Sequence, residues 1–193
     1  MTQSTDQPDR SRDGIVHELA DGYQLRFERQ LRHPVEKVWA ALTDPAQLAQ
    51  WLAPGEMELT LGGRVHLAFT DGDGVIDGRV TAIAPPRLLE FTWTDRGDDF
   101  GFVRWELVAN AGGARLVLTH TVPEAARGLG VPMLAGWHSL LEKLAVLLDG
   151  QTMSVAGDRW QELHDHYARA GVMGAGPGKE GDSSDDEAQD RDT

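Results

Sequence analysis

The stretch Pro132–Gly150, PMLAGWHSLLEKLAVLLDG, constrains the fold of this chain more than any other. Met133, Trp137, Leu140, Leu141, Leu144 and Leu148 recur at spacings of three and four, which predicts one long amphipathic helix with these residues on one face. Pro132 suits the first helical turn, where its missing N–H costs nothing, and Gly150 suits the left-handed residue that ends a helix. Glu142, Lys143 and Asp149 mark the wet side. So wide an apolar stripe requires an apolar partner surface.

The preceding sequence predicts that surface. Ile15–Ala20 and Tyr23–Arg32 read as strands joined at Asp21-Gly22, a two-residue hairpin signal. In the second strand Tyr23, Leu25, Phe27 and Leu31 alternate with Gln24, Arg26, Glu28 and Gln30, so one face is buried and one is wet. Pro34 opens a helix to about Leu42. Asp44 and Pro45 then supply an N-cap and first position for a short helix ending near Leu52. Strands follow over Glu56–Leu61, Arg64–Thr70, Val75–Ala84, Arg87–Thr94, Val103–Ala109 and Ala114–Thr121. Gly62-Gly63, Asp71–Gly74, Pro85-Pro86 and Asn110–Gly113 separate them, with an acidic loop over Asp95–Gly101. Gly78 inside a strand marks a bulge or a close backbone approach.

Consecutive hairpins make a twisted meander, and its apolar face needs a cover that only the late helix can provide. The fold class predicted is α+β, a curved antiparallel sheet wrapped around a long helix at about 132–149. An outer helix at about 158–169 carries Trp160, Leu163 and Tyr167 at helical spacing. Residues 1–13 and the acidic tail 171–193 hold too little apolar surface to offset ordering entropy and read as disordered, leaving one domain over 14–170.

Composition removes several classes of function. With no cysteine, disulfides, thiolate metal sites and thiol catalysis are excluded. A net charge of −13 argues against a nucleic-acid-binding surface. No apolar run approaches the roughly 20 residues of a membrane span. The N-terminus lacks the basic-then-apolar pattern of a signal peptide, so cytoplasmic residence is the expectation. No cofactor or metal set is evident in the spacing. His164 and His166, two apart on a helix, face different ways, and no G-x-S-x-G elbow surrounds Ser139.

Alternation and helical phase turn Trp93, Trp105 and Trp137 inward, with Phe69, Phe91 and Leu141 in the same sense. These residues either line an aromatic ligand pocket or form packed core. His120 follows Leu116 and Leu118 in parity and should face the long helix. It is either a ligand anchor, an acid–base group, or a core histidine with a satisfied partner. His138, beside Trp137, would sit at the edge of the same space.

The runs HPVEKVWAALTDPAQLAQWL, GGRVHLAF, GRVTAIAPPRLLEFTW, VRWELVANAGGARLVLTHT and GWHSLLEKLAVLLDG carry a family likeness. They resemble bacterial proteins similar to the C-terminal domain of the activator of heat-shock protein 90 ATPase, in the START-like (SRPBCC) superfamily. The likeness covers roughly Gly22 to Gly150 and implies the helix-grip fold with a deep apolar cavity between sheet and helix. Read with that cavity, the inward residues Phe69, Phe91, Trp93, Trp105, His120, Trp137 and Leu141, with His138 at the edge, are the expected lining for a small apolar or aromatic, lipid-like ligand, and the expected state is a monomer or homodimer. Two alternatives stand beside it: a cyclase- or hydratase-like enzyme using His120, and a protein-interaction module such as a chaperone cofactor or regulator partner.

Overall fold

A computed structural model describes residues 12–69, 74–151 and 159–173. The turn expected over Asp71–Gly74 lies outside them except for Gly74, as do residues 1–11 and the tail from 174. Eight strands form one sheet: β1 Ile15–Leu19, β2 Gly22–Leu31, β3 Gly55–Met57, β4 Arg64–Ala68, β5 Val75–Ala84, β6 Leu88–Asp95, β7 Asp98–Asn110 and β8 Gly113–Pro123. Their order is β1-β2-β8-β7-β6-β5-β4-β3, antiparallel at every pairing. Among the described strands, only the β2–β8 pairing joins strands far apart in sequence. Helices α1 Val35–Thr43 and α2 Pro45–Trp51 lie in the connection from β2 to β3.

Helix α3, Gly130–Leu148, follows a 3-10 turn over Glu124–Leu129, and α4, Arg159–Ala170, packs on it. Pro132 falls in the first turn of α3. Its C-terminus closes as a Schellman motif: Gly150 sits at φ 68, its N–H donates to Leu147 O, and Gln151 N–H donates to Val146 O. Leu134, Ala135, Trp137, Leu141, Leu144 and Leu148 are buried against the sheet side and α4, whereas Met133 and Leu140 are only partly buried. The buried stripe therefore includes Leu134 and His138, because two neighbours cover α3. Glu124–Leu148 has the length and apolar composition of a membrane-crossing helix, yet these are the contacts its apolar side makes.

Several local expectations hold. Asp44 caps α2 by accepting from Gln47 N–H at 3.0 Å. Tyr23, Leu25, Phe27 and Leu31 are buried, as are Val103, Trp105 and Leu107 on β7 and Leu116, Leu118 and His120 on β8. At Gly78 a Cβ would fall on the Thr92 carbonyl, the close approach that this glycine permits.

Others move. The strand expected over Glu56–Leu61 is only Gly55–Met57, and Leu59 and Leu61 are exposed. The first hairpin turns at Ala20-Asp21, and Gly22 pairs with Leu19. Gly22 is needed because the β8 backbone at Val122 occupies the space of a side chain. The Asp95–Gly101 segment is mostly strand: Arg96 (φ 51) and Gly97 (φ 94) form a tight two-residue turn between paired Asp95 and Asp98. Trp160 leaves the buried face of α4 and stacks on His164 at 5.0 Å. Val172 and Met173 pack against the core just past the expected domain end.

Candidate functional site

Strands β4 to β8 and helices α2 and α3 bring the aromatic side chains into one cluster. Trp93 on β6 lies 5.1 Å from Trp137 on α3, 5.6 Å from His120 on β8, 6.1 Å from Phe91 and 6.2 Å from Phe69, all between ring centroids. Trp105 on β7 meets Trp137 edge-on at 5.6 Å and Trp51 at 5.9 Å. Such edge-to-face pairs contribute about 0.5–1.5 kcal/mol each beyond their burial. Phe91, Trp105, Trp137 and Leu141 are buried, while Trp93 and Phe69 are only partly so. The cluster thus runs from closed core to accessible surface, and Trp93 is at the transition.

His120 is 1% exposed and fully engaged. Its Nε2–H donates to the Phe100 carbonyl at 2.9 Å, and its Nδ1 accepts from the Trp137 indole N–H at 3.0 Å. These bonds define the tautomer. Burial, opposed only by the Phe100 bond, lowers its pKa to about 4. With the Nδ1 lone pair taken by the Trp137 indole N–H and the Nε2–H taken by the Phe100 carbonyl, the imidazole offers no free nitrogen to accept a substrate proton, which is not the arrangement of a general base. Its role in this geometry is to orient the Trp137 ring.

His138 does not join this cluster. It follows Trp137 by one helical position, about 100° around α3, and faces α4. Its Nδ1 is 2.7 Å from the Tyr167 hydroxyl, which also accepts from Gly14 N–H at 2.8 Å. Glu142 stands 3.6 Å from Nε2 and Asp13 4.0 Å from Nδ1. Burial, then the charge of Arg29, lowers His138 to about 4, and burial raises Tyr167 to about 12. The periodicity showed which face of α3 was apolar but not that a second helix covers its flank.

The group around His138 was otherwise missed from sequence. Arg12 and Asp13, assigned there to the polar N-terminal segment, line a cleft of about 320 Å³ with His138, Glu142, Arg159 and His166. Asp13 bonds His166 at 2.9 Å, and Arg159 grips Glu142 through two nitrogens at 2.6 and 2.8 Å. Arg29 shares the inward parity of Phe27 and Leu31 on β2 and is buried. A charged residue at an inward position was the available signal. Among the described residues, no group of three or more His, Asp and Glu side chains is arranged to hold a metal ion.

Comparison with solved structures finds the same architecture. CalU16 from Micromonospora echinospora is 23% identical, with a TM-score of 0.68 over 85% of this chain and 98% of its own. The protein encoded by BPP1335 of Bordetella parapertussis is 31% identical, with a TM-score of 0.62 over 81% and 91%. DynU16, a protein of the dynemicin biosynthetic locus, is 29% identical, with a TM-score of 0.59 over 66% of this chain and 48% of its own. No curated protein matches the sequence. The family described as Activator of Hsp90 ATPase homolog 1-like protein matches residues 32–149, from the end of β2 to the cap of α3. With the eight-stranded sheet and its long helix in the helix-grip arrangement, the chain belongs to the Activator of Hsp90 ATPase homolog 1-like family.

Proposed function

We propose that this protein binds a small apolar or aromatic molecule against the indole cluster, with the accessible side of Trp93 and Phe69 as the docking face. The observation that carries the reading is the position of Trp93. Four rings surround it within 6.2 Å, yet it stays partly exposed. A large aromatic that borders water at the end of a rigid aromatic stack offers a flat apolar surface whose further burial is favourable. Trp105, Trp137 and Leu141 form the wall behind it, and neutral His120 holds Trp137 in place. The association of DynU16 with a biosynthetic locus supports a small organic ligand.

Native mass spectrometry of freshly purified protein, followed by tryptophan-fluorescence titration with a hydrophobic aromatic probe such as anilinonaphthalene sulfonate, tests this. Trp93→Ala should abolish saturable quenching while leaving the fold intact. Trp137→Ala should instead cost about 3–5 kcal/mol of stability, as a packed core residue does. Probe binding that Trp93→Ala leaves unchanged refutes the assignment.

A further inference from the structure

The indole cluster is polar in one respect. Its tryptophans, Trp51, Trp93, Trp105 and Trp137, each carry an N–H that can only donate. Trp51 donates to the Ala41 carbonyl at 2.8 Å, and Trp137 donates to His120 Nδ1 at 3.0 Å. Trp93 and Trp105 differ from these two. Among the described residues neither of their indole N–H groups has a hydrogen-bond partner. Trp105 is 2% exposed, a depth at which N–H groups are normally paired. Yet neither nitrogen is sealed: among the described residues the side-chain atoms both enclosed and unpartnered are Arg29 Nη2 and His164 Nδ1. Each of the two indole nitrogens therefore keeps some open surface.

The cluster has no acceptor left to meet them. His120 Nδ1, the one ring acceptor in it, takes the Trp137 N–H, and the Phe100 carbonyl takes the His120 Nε2–H. Both donors belong to rings that touch Trp137, at 5.1 Å for Trp93 and 5.6 Å for Trp105, so they stand on one apolar wall. A pure hydrocarbon seated on that wall strips water from a donor and returns nothing, which is costly. A guest with a carbonyl oxygen restores the bond. A site built on such a donor discriminates against the analogue that lacks the oxygen.

Resting on the reading of this cluster as a binding site, we propose that its ligand is a carbonyl-bearing aromatic, such as an aromatic ketone, whose oxygen accepts from the Trp93 or Trp105 indole N–H. The test uses two probes of nearly equal shape, 2-acetylnaphthalene and 2-isopropenylnaphthalene, which differ in a C=O against a C=CH2. Each is titrated into the full ¹⁵N-labelled chain, and the tryptophan indole N–H resonances are followed by NMR, assigned through Trp93→Phe and Trp105→Phe. The ketone should bind about two- to ten-fold tighter than the alkene, the scale of one neutral hydrogen bond. It alone should move the Trp93 or Trp105 indole proton downfield. The phenylalanine variant at the shifted position keeps a ring without the N–H and should lose most of the preference for the ketone. If Trp105→Phe does not fold, the wild-type shift and the affinity ratio decide. Saturable binding of both probes with equal affinity, or without a downfield shift at either indole, overturns this proposal and leaves the binding reading standing. If neither probe saturates, both fall.

Discussion

Replacing His120 by Gln is expected to flatten the acid side of the stability profile. In the folded protein His120 titrates at about 4, against an ordinary value of 6.5. The unfolded chain therefore binds more protons than the native state through this interval, so stability rises with pH. The contribution is complete above the unfolded value and is lost as pH falls from there toward the folded one. Between about pH 7 and about pH 5 this single histidine withdraws about 2 kcal/mol, and nearly all of its roughly 3 kcal/mol is gone once both states are protonated. Glutamine keeps an acceptor for the Trp137 N–H and a donor for the Phe100 carbonyl, but it does not titrate. Urea unfolding of both proteins at the two pH values gives the difference directly, and carboxylates common to both cancel in it. The variant should lose about 2 kcal/mol less than the wild type on acidification. Equal losses would show that His120 is not held neutral by burial, and the locked-tautomer argument would fail with it.

His138, lowered to about 4 by burial and by Arg29, should behave in the same direction, so His138→Gln should likewise recover a large part of the acid loss in the same urea series. Gly14→Ala should destabilise by about 1–3 kcal/mol by thermal melting, because a Cβ there meets the Phe27 ring and Leu134. A neutral outcome would mean the N-terminal segment is not seated on the core. Gly150→Ala should cost about 1 kcal/mol through its left-handed φ of 68, and the loss should appear as faster amide exchange in the last turn of α3.

Much of the fold was legible in the sequence, for identifiable reasons. Alternation on β2, β6, β7 and β8 and the three-four spacing on α3 are one-dimensional records of which face is buried. Asp44 at the start of α2 and Gly150 after α3 act through bonds to near neighbours, so local chemistry specifies them. Inward parity likewise brought Trp93, Trp105 and His120 to one side of the sheet, and helical phase turned Trp137 toward them. What parity could not supply was the partner of each ring. That Trp137 donates to His120, closing it as an acid–base group, depends on two side chains 17 residues apart meeting across the helix–sheet interface.

The second helix had the larger effect. α4 covers the flank of α3 that carries His138, so a residue read as neighbour to the indoles instead meets Tyr167, Asp13 and Glu142. Periodicity reports that a face is apolar or polar and says nothing of which distant segment packs on it. The amino-acid order alone determined the gripping helix, most of the strands and the apolar face between them, because these follow from backbone geometry and solvent exclusion, while the extent of β3 and of the β6–β7 hairpin did not follow from it. Only the tertiary structure decided that Arg29 is buried and that the Gly14 N–H meets the Tyr167 hydroxyl 153 positions away, since long-range packing sets which polar groups leave water together.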